Sequence, residues 1–331
     1  MPSVFYIGAT GYIGGAVLAD LVGAFPDLDV TALVRNSQHL NAFKSIGVKV
    51  IQGSFSDTDI ITSNARAADI TMNMGDSDDI KLTDAILAGQ TARIAEDHKP
   101  PAVLLHTSGL AVFASTTKDG KHDPNAKVWN DGDEADIRLI NDKMLHGAVD
   151  ERILRAAEKG HTVSYIVCPG GIVGPSTGPV SAVSVFIRFL LDITLAFKKA
   201  IYVGEGANVF HMVSLDDLVQ FYRLLFAHIL SGKDANASPY SRYYIAAKNP
   251  LDWNHIATVV GATLKGMGQL EDGKPQSISA SDLQPPVDIF FAASQNIRAE
   301  RAVALGWKPR AVVLEDYAEA DIKAAWEKLQ K

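Results

Sequence analysis

The residues near the start of the chain have types and spacing suited to holding an anion. An apolar run, Val4 to Ile7, enters a loop with glycines at Gly8, Gly11 and Gly14, and a helical pattern follows. Backbone N–H groups and the positive end of a helix dipole can face a dinucleotide pyrophosphate there, and a missing Cβ lets the anion approach. Three glycines alone are weak evidence, but the strand before them and the helix after them supply the required context. The pattern therefore predicts nucleotide binding rather than a plain tight turn.

A second chemical signal lies at the end of the next apolar run, Val30 to Val34, where Arg35 and Asn36 follow. Dinucleotide folds that favour NAD commonly carry Asp or Glu at this point, because a carboxylate binds the ribose 2′-hydroxyl and repels a 2′-phosphate. An arginine instead pairs with the 2′-phosphate. We therefore predict NADP(H) as the cofactor, with Thr10 adding a hydroxyl near the phosphates; the alternative is an Arg35 that merely lies at the surface.

The composition and charge limit the classes of partner. The chain has 331 residues, of which 47% are hydrophobic and 21% charged, so it can bury a sizeable core. Its formal charge is −7 and no block is rich in Lys and Arg. Because nucleic-acid binding depends on a basic face, we expect a small-molecule substrate as the partner and no nucleic acid.

The cysteine and histidine positions argue against disulfide, thiol and metal chemistry. Cys168 is the only cysteine, so an intramolecular disulfide is impossible, and its place at the end of an apolar run favours an inert core thiol. The nine histidines form no His-x-His or His-Glu-x-x-His pattern. Such spacings are typical of metal sites, so we expect no bound metal.

No segment of the sequence is typical of export or of membrane insertion. Met1 leads almost directly into the first apolar run, so we expect no cleaved leader. The most apolar long stretch, Val180 to Ala200, contains Arg188 and Asp192 four residues apart. This spacing suits a buried or interfacial helix better than a membrane span. We expect a cytoplasmic protein that does not associate with membranes.

Apolar runs of strand length alternate with helical patterns through the first half of the chain. The alternation predicts an α/β fold, a doubly wound parallel sheet (Rossmann fold) with helices on both faces. The predicted strands are 4–7, 30–34, 48–52, 68–74, 103–107 and 163–168. Besides the helix after the glycine loop, the predicted helices are 37–46, 78–98, 134–159, 215–230 and 314–329.

The pattern loosens after about residue 175, where Pro, Gly and Ser cluster. We predict an NADP-binding Rossmann domain over residues 1–175 and a smaller, partly interleaved substrate lobe with a C-terminal helix over residues 176–331. Segments near 203–230 are expected to return to the first domain. The long helices at 78–98 and 134–159 could pair across a two-fold axis, which leaves a homodimer open.

Taken in order, several segments resemble the short-chain dehydrogenase/reductase superfamily in its extended or atypical branches, which include NmrA-like and epimerase/dehydratase-like members. The likeness covers nearly the whole chain. After the glycine loop no single motif is specific, and the likeness rests on the order and spacing of the motifs. The segments that carry it are 8–14, 32–36, 68–75, 106–108, 168–175, 203–217 and 302–309.

The resemblance implies which positions contact the cofactor. Ser54 and Phe55 would lie near the adenine, although Phe55 could also be a core residue, and Met74 and Gly75 would lie near the adenine ribose. Pro169 to Val173 would flank the nicotinamide. The residues expected to bind NADP(H) are Gly8, Thr10, Gly11, Tyr12, Ile13, Gly14, Arg35, Asn36, Ser54, Phe55, Met74, Gly75, Thr107, Lys143, Pro169, Gly170 and Ile172.

The resemblance also raises a question about the proton donor. Members that reduce ketones use a Tyr-x-x-x-Lys pair after strand five, where Tyr donates the proton and Lys lowers the pKa of that Tyr. No tyrosine lies between Tyr12 and Tyr165. The two positions hold Leu139 and Lys143, Lys143 and Gly147, or His146 and Asp150, depending on the register, and the family's serine is Ser108 or aligns with Gly109.

Three explanations of the missing tyrosine stay open. In the first, another group donates the proton, and Ser108, Lys143 and His146 are the candidate catalytic residues. His146 is well suited because an imidazole has an ordinary pKa of about 6.5, although a surface role is the alternative. In the second, the reaction needs no strong acid, as in hydride addition to an iminium or an activated alkene. In the third, the domain binds its nucleotide without catalysis.

The leading hypothesis is an NADPH-dependent oxidoreductase that reduces a small, mostly apolar organic carbonyl, imine or activated alkene. One alternative is a redox-neutral enzyme on the same fold, such as an isomerase, dehydratase or cyclase. The other is an NmrA-like regulatory protein that senses NADP without catalysis. The sequence does not name the substrate, because the loosely patterned second half builds its pocket.

Overall fold

The computed structural model describes residues 2–117, 119–284 and 287–330. Strands and helices alternate along these ranges, and both are numbered below in chain order. The strands are β1 (Ser3–Ile7), β2 (Asp29–Val34), β3 (Lys49–Gln52), β4 (Ile70–Asn73), β5 (Val103–Thr107), β6 (Ala114–Thr116), β7 (Trp129–Asn130), β8 (Val163–Pro169), β9 (Gly171–Val173), β10 (Ile201–Val203), β11 (Val209–Ser214), β12 (Tyr243–Ala246), β13 (Asn249–Asp252), β14 (Gln276–Ile278), β15 (Ala293–Gln295) and β16 (Ile297–Arg298).

The helices vary from single turns to more than four turns. The α-helices are α1 (Tyr12–Ala24), α2 (Leu40–Lys44), α3 (Thr58–Ala67), α4 (Ile80–Ala95), α5 (Glu134–Ile137), α6 (Gly147–Glu158), α7 (Val185–Phe197), α8 (Leu215–Ser231), α9 (Trp253–Gly266), α10 (Val287–Ala292), α11 (Arg301–Ala304) and α12 (Glu315–Leu329). Short 3₁₀ helices lie at Ser37–His39, Leu110–Phe113, Pro239–Arg242 and Ala280–Asp282.

A seven-stranded parallel sheet forms the centre of the fold, with strand order β12-β8-β5-β4-β1-β2-β3. The chain moves outwards from β1 in both directions, so Ile7 lies beside Leu33 of β2 and beside Asn73 of β4. In sheets of this kind, ligands bind at the carboxyl ends of the strands, in the crevice where the strand order reverses. The predicted doubly wound fold is confirmed.

Helices cover both faces of the sheet because its strands carry apolar side chains on both sides. Tyr6 and Val167 belong to the core cluster that includes α1 and α8. Phe5, Ile7 and Ile166, which point the other way, belong to the cluster that includes α3, α4 and α6. Such two-sided burial is typical of parallel sheets.

The second half of the chain contributes to the central sheet one strand that the sequence did not predict. β12, with only the four residues Tyr243–Ala246, pairs with β8 at the edge of the central sheet. Helix α8 also packs on this part of the molecule, where Phe221 contacts Tyr244 of β12 with ring centroids 5.7 Å apart. The boundary at residue 175 and the two-domain division stay predictions.

The predicted long helix over 134–159 is wrong. The chain forms the single turn α5, then turns over residues 138–146, and becomes helical again only in α6. The side chain of Asn141 accepts from the backbone N–H of Lys143 and donates to the carbonyl of Leu139. Such local bonds compete with the helix, and apolar residues at helical spacing were not sufficient to overcome them.

The remaining elements form a smaller lobe around a separate core. β9, β11 and β13 make a three-stranded sheet, and α7, α9 and α12 pack around it. The predicted helix in Val180 to Ala200 is α7, which buries Phe186, Ile187 and Leu191. Within the ranges that the structure describes, no helix has both the length and the apolarity to cross a bilayer. The cytoplasmic location and the homodimer stay predictions.

Candidate active site

The glycine loop between β1 and α1 packs closely on the loop that follows β4. Gly8 has a φ of +89°, which favours glycine, and a Cβ at Gly8 would overlap the carbonyl oxygen of Met74. A Cβ at Gly14 would overlap the carbonyl oxygen of Gly8. The backbone packing therefore requires these two glycines, whatever binds nearby.

Gly11 and the start of α1 offer the polar groups that an anion needs. Gly11 is exposed and is the N-cap residue of α1, and no side chain caps this helix. A Cβ at Gly11 would meet the Gly8 carbonyl oxygen at 3.2 Å, with no closer neighbour. The first N–H groups of a helix, here beginning with Tyr12 and Ile13, have no intrahelical acceptor and can bind a phosphate. The residues present therefore fit a dinucleotide.

Tyr12 ties this end of α1 to the smaller lobe. Its hydroxyl donates to the carbonyl oxygen of Gly174 at 2.6 Å, and burial raises the pKa of Tyr12 well above its ordinary value. The hydroxyl proton is thus already engaged in a structural bond. Although Tyr12 lines the cleft described below, it is a poor substitute for the missing tyrosine.

The three predicted phosphate-side residues differ in what they already contact. Arg35 follows β2 directly and is exposed, and no carboxylate pairs with it among the described residues. Asn36 accepts the backbone N–H of Gln38 at 3.0 Å and so caps the 3₁₀ helix that follows. Thr10 is half-buried in the glycine loop. Arg35 therefore keeps its charge available for a ligand, whereas the Asn36 oxygen is occupied.

The residues expected near the adenosine lie around the end of β4. The ring of Phe55 lies against Gly75, where a Cβ would be 2.9 Å from it. Ser54 precedes it in the loop after β3, and the sulfur of Met74 lies 2.7 Å from the hydroxyl of Thr107. Phe55 also packs on the core, and its contact with the adenine stays a prediction.

A cleft of about 550 Å³ opens at the carboxyl ends of the strands and reaches into the smaller lobe. It brings together many, but not all, of the predicted site residues. Those in its wall are Gly11, Tyr12, Ile13, Met74, Gly75, Thr107, Ser108, His146, Pro169, Gly170 and Ile172. Those outside it are Gly8, Thr10, Gly14, Arg35, Asn36, Ser54, Phe55 and Lys143.

His146 reaches the cleft from an unusual backbone position. It is the residue before α6 and has a φ of +61°, in the left-handed region that non-glycine residues seldom adopt. Its Nδ1 lies 2.9 Å from Oδ1 of Asp78 and 3.1 Å from the hydroxyl of Ser77. The other ring nitrogen, Nε2, faces Gly109, where a Cβ would lie 2.7 Å from it. Backbone outliers of this kind cluster at functional sites.

The charges around His146 favour its protonated form. Burial pushes the pKa of His146 down, but the hydrogen bond and the charge of Asp78, with the charge of Asp150, outweigh burial, so that the pKa is raised. Conversely, the bond to His146 lowers the pKa of Asp78. The protonated form of His146 therefore persists to higher pH than that of an ordinary imidazole.

Ser108 is bonded to a fully buried carboxylate, that of Asp150. Its Oδ2 accepts from the Ser108 hydroxyl at 2.8 Å and from the Tyr243 hydroxyl at 2.6 Å. Burial raises the pKa of Asp150 to about 6 against the lowering effect of these two bonds. Tyr243 has no exposed surface and does not line the cleft, so its phenol supports Asp150 rather than a ligand.

His106 completes the polar cluster behind the cleft. Its Nδ1 lies 3.2 Å from the amide nitrogen of Asn73, whose oxygen accepts the N–H of Gly75. The amide nitrogen of Asn73 therefore donates to Nδ1 of His106, so the neutral ring of His106 carries its own proton on Nε2. This Nε2 lies 3.8 Å from Oδ1 of Asp150. Burial lowers the pKa of His106 to about 3, so this ring stays neutral.

The structure does not bring Lys143 to the cleft. The lysine is exposed in the turn between α5 and α6, and it lies outside the wall. Leu139, which shares the register with it, is half-exposed in the same turn. The sequence allowed three registers for the Tyr-x-x-x-Lys positions. Only in the register with His146 and Asp150 do both side chains reach the end of β5, where Asp150 bonds to Ser108 and His146 faces Gly109. The catalytic roles of Ser108, His146 and Lys143 themselves stay predictions.

Sequence reasoning missed Asp78, Tyr243 and Gln295 as site residues. Asp78 lies in the acidic run 76–79 directly after β4, a position that could have been noticed because strand ends meet at the cleft. Tyr243 and Gln295 lie in the second half, where no motif marked them.

The first half of the chain matches a known family. Residues 8–172 match the family model described as NAD(P)H-binding. The chain is 25% identical to the oxidase ucsJ of an Acremonium species, over 98% of each protein.

Two solved structures share the fold along the whole chain. The dTDP-glucose 4,6-dehydratase of Bacillus anthracis, solved in complex with NAD, aligns with a TM-score of 0.61 at 14% identity and covers 100% of this chain and 98% of its own. Vestitone reductase from alfalfa aligns with a TM-score of 0.59 at 15% identity and covers 100% of both chains.

Proposed function

We propose that this chain, whose residues 8–172 form an NAD(P)H-binding domain and which has the fold of the extended short-chain dehydrogenases/reductases, is an NADPH-dependent reductase of a small, mostly apolar substrate. The pair formed by Asp78 and His146 carries the proposal, because it holds in the wall of the cleft an imidazole whose protonated form is favoured by the carboxylate. Beside it, Pro169, Gly170 and Ile172 would flank the nicotinamide, which supplies the hydride when the cofactor is bound.

The free charge of Arg35 supports the choice of NADPH. It lies exposed after β2, the strand whose end approaches the adenosine ribose in dinucleotide folds. A guanidinium binds a phosphate in a bidentate manner and with charge assistance. No carboxylate precedes it at the end of β2, where the sequence is Ala-Leu-Val. The 2′-phosphate of NADPH therefore has a partner here that NADH would leave unused.

His146 is the better proton donor of the two polar candidates in the cleft wall. Nδ1 donates to Asp78, so the imidazolium presents its second proton at Nε2, on the side of Gly109. Ser108 instead spends its hydroxyl proton on Asp150, and it can only accept from a ligand without losing that bond. We therefore assign proton donation to Nε2 of His146 and substrate positioning to Ser108.

The wall of the cleft favours an apolar substrate with a polar reacting group. Leu110, Ala111 and Val185 are among its lining residues, beside a cluster of phenylalanines. A carbonyl or an imine gains a negative or basic atom as the hydride arrives, and an imidazolium proton can satisfy that atom. An activated alkene conjugated to a carbonyl can be stabilised in the same way.

The test is NADPH consumption with a panel of carbonyls, imines and conjugated alkenes, followed by His146→Gln. We expect the variant to lose about 100-fold or more in kcat, the usual cost of removing a general acid, while NADPH fluorescence titration gives an unchanged Kd. His255→Ala is the matched control, because His255 makes only a surface ion pair with Glu315.

Two outcomes contradict the proposal in different ways. NADPH binding without consumption across the panel would favour the regulatory or redox-neutral alternatives. Consumption that His146→Gln slows less than about threefold would keep the reductase but remove its proton donor.

A further inference from the structure

The part of the cleft that the smaller lobe forms is walled by aromatic rings. Phe186 and Phe189 of α7, Phe210 of β11 and Phe290 of α10 line it. The rings of Phe186 and Phe210 stack with centroids 5.2 Å apart, and Phe189 meets Phe290 edge to face at 4.5 Å. Aromatic ligands gain from offset and edge-to-face contacts with such rings in addition to the burial of apolar area.

The part of the cleft wall that the smaller lobe forms has no charged side chain among its described residues, in contrast to the end of the cleft where His146 lies. None of the described residues that line it is Asp, Glu, Lys or Arg. A charged group moved into this part of the cleft would lose its hydration without gaining an ion pair. Diphosphates in particular are usually held by Arg or Lys. The part of the cleft in the smaller lobe therefore favours an uncharged substrate over a sugar nucleotide.

One buried amide, Gln295, interrupts this apolar wall. The residue ends β15, has no exposed surface and lines the cleft. Its Oε1 accepts the backbone N–H of His211 at 2.8 Å, whereas its Nε2 has no hydrogen-bond partner in the described part of the chain. Because the N–H of His211 fixes the oxygen, the nitrogen is the free end of the amide.

An unpartnered buried donor is rare in folded proteins, because the group has lost its hydrogen bonds to water without replacement. The amide of Gln295 is held at its oxygen by His211, and the residue is itself part of the cleft wall. A bound molecule with an acceptor atom would satisfy Nε2 where the protein does not. The amide nitrogen can only donate, so the ligand atom that pairs with Nε2 must be an acceptor.

We propose that the substrate is an uncharged aromatic compound that places its ring among Phe186, Phe189, Phe210 and Phe290 and accepts a hydrogen bond from Nε2 of Gln295. Gln295 is then a specificity-determining residue. The inference rests on the proposed function of the same cleft, and it names the class of substrate that the reductase would take.

The test measures binding in the presence of saturating NADP⁺, which cannot donate a hydride. Acetophenone and α-methylstyrene have the same shape and differ in one acceptor oxygen. Cyclohexyl methyl ketone lacks the aromatic ring, and UDP-glucose carries the charged diphosphate. Isothermal titration of the four probes should rank acetophenone first, about tenfold tighter than α-methylstyrene, as one buried hydrogen bond allows.

Gln295→Glu, measured at a pH at which the new carboxyl is ionised, removes the donor but keeps an oxygen for the N–H of His211. We expect this variant to lose the preference for acetophenone over α-methylstyrene, whereas Gln276→Glu, an exposed change of the same kind on β14, should keep it. Circular dichroism checks folding. If the buried charge unfolds Gln295→Glu, the four probes on the unchanged protein still test the ring and the charge requirements, and Gln295→Leu tests the donor.

The inference is overturned if UDP-glucose or cyclohexyl methyl ketone binds as tightly as acetophenone, or if the folded Gln295 variant keeps the preference. Failure of the proposed function gives a different result. A protein that binds acetophenone in the expected order but never consumes NADPH would overturn the reductase and leave the ligand class standing. A protein that reduces other carbonyls but does not bind acetophenone would keep the reductase and overturn the ligand class.

Discussion

The imidazole of His146 occupies the space in front of Gly109, so that a Cβ on Gly109 would lie 2.7 Å from Nε2 of His146. Gly109 follows Ser108 at the end of β5, and His146 precedes α6, so the contact joins two segments that are far apart in the chain. A side chain at position 109 and the present position of the imidazole exclude each other. The glycine is therefore part of the same arrangement as the bond from His146 to Asp78.

We expect Gly109→Ala to displace His146 without unfolding the protein. The backbone of Gly109 has a φ of −149°, which any residue can adopt, and the methyl group would meet only the movable ring of His146. If His146 donates the proton, kcat should fall by about tenfold or more with little change in the melting temperature, because a displaced general acid loses most of its contribution. Steady-state kinetics and thermal melts measure the two effects.

Gly23→Ala is the matched control for this variant. A Cβ at Gly23 meets nothing within 4 Å, and the residue lies in α1. The control should keep kcat and gain about 0.5–1 kcal/mol in the free energy of unfolding, since alanine is the better helix former. An unchanged kcat in Gly109→Ala would show that His146 is not the donor or that its position does not matter.

The parts of the fold that could be predicted depend on local pattern. The six strands expected in the first half all exist. Except in the edge strand β3, their apolar runs are buried on both faces between helices, as Ile7 and Ile166 show. β12 was missed because four residues in a loosely patterned region give no such signal. The helix over 134–159 failed because the Asn141 side chain bonds to its own turn, which apolar spacing does not reveal.

The residues of the candidate site also divide into those that local spacing predicts and those that depend on distant partners. The glycine loop is local, so Gly8 and Gly14 could be placed from spacing alone. The partners of His146 and Gln295 could not, because Asp78 lies 68 residues from His146 and His211 lies 84 residues from Gln295. Only the packing of the loops after β4 and β5 and of the smaller lobe brings these groups together.

Asp78→Asn should shift the pH dependence of the reaction. Asp78 raises the pKa of His146, and a proton donor works only while it is protonated. The rate of the unchanged protein should therefore fall as the pH rises through that raised pKa. Removing the carboxylate charge lowers the pKa of His146, so the fall should begin at lower pH, while the two rates converge in acid. A pH profile of kcat measures the shift.

The same pair predicts a pH-dependent stability. The pKa of His146 in the folded protein lies above its ordinary value of about 6.5, so the stabilisation from the pair is complete below that value and is lost as the pH rises through the folded pKa. Asp78→Asn should thus lower the melting temperature more at pH 5.5 than at pH 9. Asp84→Asn, which breaks a surface pair with Arg152, is the control and should leave the rate profile unchanged.

Substitutions in the glycine loop should separate folding from cofactor binding. Gly8→Ala places a Cβ on the carbonyl of Met74 at a positive φ, so we expect a loss of about 2 kcal/mol or more in the free energy of unfolding. Gly11→Ala meets only one oxygen, at 3.2 Å, and should remain folded. Its methyl group would nevertheless crowd the approach to the start of α1, and the Kd for NADPH should rise about tenfold. A folded Gly11→Ala that binds NADPH normally would place the pyrophosphate elsewhere.

Arg35→Glu should discriminate between the two nicotinamide cofactors. The guanidinium has no protein carboxylate to satisfy among the described residues, so a 2′-phosphate would be its main partner. Losing that pair and gaining a repulsive carboxylate should weaken NADPH binding by about 10- to 100-fold, the range for a hydrogen bond to a charged group, while NADH changes by less than about threefold. Lys323→Glu makes the same charge change at an exposed position of α12 and should affect neither cofactor. Fluorescence titration gives both constants, and an equal effect of Arg35→Glu on NADPH and NADH would refute the role of Arg35 in cofactor choice.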